Sequence, residues 1–361
     1  MKKNILIANL FLLIFLGIIS CESEKNIQNS TTTEEMYFPP NSLGTWETKN
    51  RNSINWNSTA FEPLKMYLKE TNTKSFMILV NGRIVVEEYF SGHSISQVWQ
   101  WNSAGKTLIS TLTGIAQQEG ILNINDKVSK YLGIGWTTTP IEKENLITCK
   151  HLLTMTSGID DEQGEKTSPS DLIYKSDAGN RWAYHSIFQK QMDVIANASN
   201  SPFEDYYNLK LKNKIGMDGS WYLGPIYRIY YSTTRSMARF GLLALNKGKW
   251  NNEQILNEAF FNESISTSQN INQAYGYFWW LNGKDSFMLP NSQNVFAGSL
   301  IPNAPSDMYT AMGAADQRIY IVPSKKMVVI RMGESSTPNS PNFSLSGFDN
   351  ELWKKINALI N

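Results

Sequence analysis

Cysteine and histidine are both scarce in this 361-residue chain: Cys21 and Cys149 are the only cysteines, and His93, His151 and His185 the only histidines. Neither type recurs at the spacing of a zinc site, and no H-E-x-x-H is present, so the sequence points to no metal centre and to no cofactor. An excess of either charge is also missing. With 33 Lys and Arg against 32 Asp and Glu, no global imbalance argues for nucleic acid as a partner. No apolar run reaches the ~20 residues needed to span a bilayer. There is no internal repeat, and the G-x-S-x-G elbow that carries many Ser-His-Asp hydrolases is absent.

What is present begins with Lys2 and Lys3, an apolar stretch from Ile5 to Ile19, and the sequence Ile18-Ile19-Ser20-Cys21. A basic start and a short apolar core ending at a small residue read as a secretory signal peptide over residues 1–20. The small residue before Cys21 resembles a bacterial lipoprotein box. The expectation is therefore a mature chain that starts at an acylated Cys21 and is held by lipid in the cell envelope, in the periplasm or at the outer membrane. Residues 21–58 form the linker and N-terminal extension, with a polar stretch at 22–35 too poor in apolar residues to fold alone. With Cys21 modified, Cys149 is left without a disulfide partner and reads as a small buried hydrophobe.

Two pairs of β-branched and apolar runs predict hairpins: Met77 to Val80 with Ile84 to Phe90 around Asn81-Gly82, and Arg318 to Val322 with Met327 to Met332. Helical patterns cover Ala104 to Gly120, Ile187 to Ala198 and Arg235 to Asn246, and Asp349 is placed to cap a last helix through Leu352, Trp353, Ile356 and Leu359. The expected fold is α/β: an antiparallel sheet flanked by helices and built from both chain ends (59–110 and 300–361), with a mostly helical insertion at 111–299.

Trp101-Asn102-Ser103-Ala104-Gly105-Lys106 opens the first helical pattern and holds the only S-x-x-K in the chain. Residues i and i+3 share a helix face, so a desolvated lysine can take the proton of the serine hydroxyl while the helix start supplies N–H groups for a developing anion. An N-capping serine beside a solvated lysine would give the same letters.

From residue 60 to 358 the sequence resembles the serine β-lactamase and penicillin-binding-protein superfamily, in its branch of esterases, aminohexanoate-oligomer hydrolases and D-amino-acid peptidases. The resemblance rests on Ser103-Ala104-Gly105-Lys106, Gly114-Ile115-Ala116, Glu119-Gly120, Val128 to Leu132, His151 to Gly158, Ser236 to Gly241 and Tyr275-Gly276-Tyr277. It implies a β-lactamase-like fold, Ser103 as nucleophile, Lys106 as its base, and a tyrosine from a Tyr-x-Asn/Ser element. Five tyrosines fit that loose pattern: Tyr89, Tyr174, Tyr184, Tyr206 and Tyr230. The setting favours Tyr184-His185-Ser186, with Ser186 on the substrate side, His185 as a local packing or rim residue and Tyr230 as the rival. The family's strand element falls on Ala311-Met312-Gly313. It makes the Ser103 and Ala314 amides the oxyanion hole and has Gly313 admit the substrate closely.

Relatives carry lysine or histidine where this chain has Ala311, which disfavours substrates that present a carboxylate there unless an arginine such as Arg318 supplies the charge. The leading expectation is hydrolysis of a small ester or amide through an acyl-enzyme. A D-amino-acid peptidase or β-lactamase, and a catalytically silent binding lipoprotein, remain as alternatives. Trp279 and Trp280 suit either a substrate groove or the core.

Overall fold

The hairpin expected around Asn81-Gly82 forms between strands β1 (Thr73–Val80) and β2 (Arg83–Tyr89), and both turn residues have positive φ, 51° and 82°. That matches the twist of a two-residue connection, for which Asn-Gly is the favoured pair. The computed structural model describes residues 34–361 except 42–44, 163, 225 and 338–346, so the signal-peptide and Cys21 expectations lie outside the described residues.

Two short strands, β3 (Trp99–Gln100) and β5 (Arg228–Ser232), pair with each other, and β4 (Ser220–Leu223) pairs with β5 on its other side. The main sheet is completed by β6 (Trp280–Leu281), β7 (Tyr309–Gly313), β8 (Gln317–Val322) and β9 (Met327–Gly333), in the order β2-β1-β9-β8-β7-β6. Every neighbouring pair is antiparallel. All residues of β7, β8 and β9 are buried, which is why these segments read as continuous apolar runs and not as alternation.

Helices cover both faces of this sheet. The early helix α1 (Phe61–Glu70) packs with the last helix α5 (Gly347–Ile360), and Trp353 meets the Tyr320 ring edge-on at 5.5 Å. Helix α4 (Thr234–Leu245) lies on the opposite face. There a Cβ on Gly241 would stand 2.6 Å from Val328 and 3.2 Å from Ile319, so glycine is what lets helix and sheet approach this closely. The third layer holds α2 (Lys106–Gln118), buried on all sides from Lys106 to Ala116, with α3 (Phe188–Ser199) against it. Each fully buried Leu or Ile on α2 is worth ~1.5–3 kcal/mol, so a helix with this many fixes the site it begins.

Three expectations change. The sheet takes a strand, Trp280–Leu281, from inside the segment assigned to the helical insertion, and α4, also assigned there, packs on the sheet. Residues Met36–Asn361 form one compact unit that carries both parts. Asp349 does not cap the last helix. It sits inside the first turn, fully buried, and accepts from Arg318 at 2.6 and 3.0 Å and from the Tyr320 hydroxyl. Among the described residues no helix is long and apolar enough to cross a membrane.

Candidate active site

Trp101 donates its amide to the Tyr230 carbonyl at 2.8 Å, which extends the pairing of β3 with β5 to two residues before Ser103. Asn102 then adopts a left-handed conformation with φ 49°, a region that asparagine tolerates better than other side-chain-bearing residues. It opens a 3-10 turn over Asn102–Gly105, and the α-helix begins only at Lys106. In a 3-10 turn residues i and i+3 eclipse, and the Lys106 Nζ accordingly stands 2.7 Å from the Ser103 Oγ.

Lys106 is buried, and its Nζ also donates to the Tyr184 hydroxyl at 3.1 Å. Its remaining surroundings are aromatic: the Nζ lies 4.6 Å from the centre of the Tyr184 ring and 4.3 Å from that of Phe188. Desolvation lowers its pKa from 10.5 to about 7, against the opposing pull of the Glu165 carboxylate. Tyr184 is driven the other way. Burial raises its phenol well above the ordinary value, and the hydrogen bond with Ser103 offsets this only in part. Two groups in contact whose proton affinities diverge in this way sort into a base, Lys106, and a retained proton, Tyr184. Trp280 stacks on Tyr184 at 5.8 Å and Trp182 leans on it at 6.2 Å, so Trp280 serves as a buried backing and does not line a groove. Trp279 is likewise core, against Phe240 and Tyr309.

The rival tyrosine is elsewhere. Tyr230 is fully buried, accepts a short hydrogen bond from the Tyr207 hydroxyl and donates one to the Asp218 carbonyl, while its ring supports Trp101 edge-on at 5.1 Å.

Gly313 ends β7 beside the nucleophile turn, and Ala314 follows it. The glycine meets protein, not the expected substrate: a Cβ there would fall 2.2 Å from the Trp101 carbonyl oxygen and 3.1 Å from the Ala104 nitrogen. The turn's first donor is Ala104, bonded to the Trp101 carbonyl at 3.1 Å, which leaves the Ser103 amide ahead of the ladder. The Ala314 amide follows the last paired position of β7, Gly313 opposite Gln317. Asn102 ties the two segments, its side-chain amide donating to the Ala314 carbonyl at 2.8 Å. Arg318 fastens the same strand end through the Gly313 carbonyl at 2.8 Å and is otherwise held by Asp349 and Asp316. It is therefore not free to stand in for the missing charge at Ala311, which is itself fully buried.

Ser186 departs from its expected place on the substrate side. It is buried and donates to the Glu165 carbonyl at 2.5 Å, while the His185 Nε2 lies 2.7 Å from the Gly164 carbonyl oxygen. The two residues after Tyr184 thus pin a loop that brings Glu165 to the pocket. The pocket over Ser103 is lined by Lys106, Tyr184, Glu165, Phe188, Tyr227 and Arg228, among others. Sequence reasoning missed Glu165, Tyr227 and Arg228, which belong to no motif. Asn102 also belongs to the site, and an asparagine directly before the serine is a readable sign of a left-handed turn. Cys149 is buried, its thiol pushed up to about 12 by desolvation, and His151 closes a capping box with Thr148, so neither joins the site. The one carboxylate cluster that could hold a metal among the described residues, Asp160-Asp161-Glu162, is already served by Lys175 and Arg181.

The β-lactamase family model matches residues 69–351 of the chain. An uncharacterized protein of Alkalihalophilus pseudofirmus is 26% identical over 333 residues, which cover 79% of this chain and 93% of that one. A Bacillus anthracis protein assigned as a 6-aminohexanoate-dimer hydrolase superposes with a TM-score of 0.67 at 18% identity, over 90% of this chain and 89% of that one. A family VIII carboxylesterase superposes with a TM-score of 0.63 at 12% identity, over 88% and 99% of the two chains.

Proposed function

Because the chain belongs to the β-lactamase family, whose fold serves hydrolases, we propose that it cleaves a small ester or amide through an acyl-enzyme on Ser103. The observation that carries this reading is the continuous contact from Ser103 Oγ to Lys106 Nζ, 2.7 Å, and on to the Tyr184 hydroxyl, 3.1 Å. Neutral Lys106 takes the Ser103 proton as Oγ attacks the carbonyl, and the Ser103 and Ala314 amides receive the oxyanion. Tyr184, which keeps its proton, relays it towards the leaving group and is reprotonated from the Lys106 ammonium. Water then attacks the acyl carbonyl while giving a proton to Lys106, and the Lys106 ammonium returns that proton to Ser103 Oγ as the ester bond breaks and the acid leaves.

Substrate choice follows from the charges near the nucleophile. A carboxylate such as that of a β-lactam or a terminal D-amino acid finds Ala311 where relatives place a cation, Arg318 consumed by Asp349, and Arg228 paired with Asp193 at 2.6 Å. A lost charge-assisted hydrogen bond costs ~1.5–3 kcal/mol, or roughly ten- to a hundredfold in rate. Neutral p-nitrophenyl esters should therefore be hydrolysed, and cephalosporins and penicillins weakly or not at all. A cephalosporin turned over with higher kcat/KM than every ester overturns this preference in favour of a β-lactamase. No acylation by a fluorophosphonate probe would instead favour a silent binding protein.

We infer further that Cys21 is the lipid-bearing N-terminus of the mature chain. Cys21→Ser should block processing or move the protein from the membrane to the soluble fraction, and a wild-type protein that is already soluble refutes the anchor.

A further inference from the structure

The catalytic pocket contains a carboxylate that the acyl-transfer steps above leave unused. Glu165 lines it, half-buried, on the loop held by Ser186 and His185 through the carbonyls of Glu165 and Gly164. Its carboxylate makes no ion pair among the described residues, and Arg228, which lines the same pocket, is taken by Asp193. Lys106, Tyr184 and Tyr227 line the same pocket and feel its charge, and His185 and Arg228 complete its titratable lining.

Lys106 must be neutral to take a proton from Ser103. In that state the Glu165 carboxylate has no ion-pair partner in the pocket, because Arg228, the other cationic side chain of the lining, is bound to Asp193 at 2.6 Å. An ammonium group on the substrate would restore the balance and leave Lys106 as free base. Aromatic surface is available for such a group as well: Tyr227 is partly exposed, and both it and Phe188 line the pocket beside Glu165. Carboxylate and aromatic faces together are the surroundings that stabilise organic cations.

We propose that Glu165 makes this pocket selective for substrates that carry an ammonium group near the scissile carbonyl. The inference rests on the acyl-enzyme reading and narrows it to cationic esters or amides. An acyl chain ending in a carboxylate is disfavoured twice, by Glu165 and by the alanine at 311.

Three p-nitrophenyl esters of similar size separate the possibilities: γ-trimethylammonio-butyrate, its neutral isostere with carbon in place of the quaternary nitrogen, and the glutarate monoester. In the wild-type enzyme kcat/KM for the cation should exceed that for the isostere by roughly tenfold, and the anion should fall below both. Added salt should shrink the ratio, because the pocket is open to solvent. Glu165→Gln should bring the ratio of cation to isostere close to one, and comparing two esters on one enzyme cancels any change in Lys106 reactivity common to both. If the wild-type enzyme hydrolyses the isostere as well as the cation, or the variant keeps the preference, the role of Glu165 is refuted while the hydrolase reading stands. The wild-type ratio decides even if the variant does not fold. Failure to hydrolyse any of the three esters would refute the hydrolase reading and this inference with it.

Discussion

The side-chain amide of Asn102 holds the carbonyl of Ala314 at 2.8 Å, so the residue before the nucleophile grips the residue whose amide completes the proposed oxyanion hole. The contact fixes the spacing of two N–H donors that come from segments more than 200 residues apart. Asn102→Gly keeps the left-handed backbone accessible and removes only the grip. It should lower kcat roughly tenfold with little change in KM, since a misplaced donor weakens the transition state more than the ground state. Equal losses through KM would refute this role.

Lys106, lowered to about 7 by burial, sets a pH dependence in two ways. In the proposed mechanism its neutral form is the base, so kcat/KM should climb through about pH 7 and level off above it, and Lys106→Ala should cost ~10²- to 10⁴-fold. Glu165→Gln removes a charge that favours the protonated form, so the climb should begin at lower pH. Stability responds with a definite sign. Between about pH 7 and the unfolded value of 10.5 the unfolded chain binds the extra proton, so folding stability rises with pH across that window. Lys106→Met should abolish this slope, as measured by urea titrations at pH 7 and pH 9.

Tyr184 and Tyr230 are separable by single-atom changes. Tyr184→Phe removes the hydroxyl that contacts Lys106 and should reduce turnover by orders of magnitude without unfolding the protein. Tyr230→Phe breaks buried hydrogen bonds to Tyr207 and the Asp218 carbonyl and should cost ~1–3 kcal/mol of stability while the folded enzyme still acylates. The opposite pattern would exchange the two assignments.

Much of the fold was readable because its sheet is written in runs that local chemistry determines: Asn81-Gly82 announced one turn and the β-branched stretches announced β8 and β9. The short strand Trp280–Leu281 was not readable, since two residues carry no periodicity and only their pairing with Tyr309 and Thr310 makes them a strand. At the site, Ser103 and Lys106 stood close in sequence and were legible. Tyr184 was one of five candidates until the fold placed its hydroxyl on Lys106 and turned that of Tyr230 away. Ser186 and Asp349 were misread for one reason: a small polar side chain near a functional element looks available until a buried partner, here the Glu165 carbonyl or Arg318, claims it. Glu165 belongs to a loop whose position depends on contacts 21 residues downstream, which no local pattern reveals.

The Arg318–Asp349 pair is fully buried and couples the last helix to the strand that ends in Gly313. Removing one partner of such a pair strands the other charge, so Asp349→Ala should destabilise the enzyme by ~3–5 kcal/mol. A loss within 1 kcal/mol in urea denaturation would show that the pair is not holding the helix.

The pairing of β1 with β9 joins residues roughly 250 positions apart, Thr73 with Gly333 and Val80 with Met327. Synthesis therefore delivers the proposed nucleophile and its base early and the strand that secures the sheet almost last. A nascent chain that has emerged only as far as Leu300 possesses Ser103 and Lys106 but has neither the Ala314 amide nor the centre of the sheet. Such non-local closure makes folding slow and leaves the incomplete chain extended for longer, in a state that a chaperone can engage. The order of synthesis thus acts as a timer: the proposed site around Ser103 is complete only when the last strands of the chain have arrived.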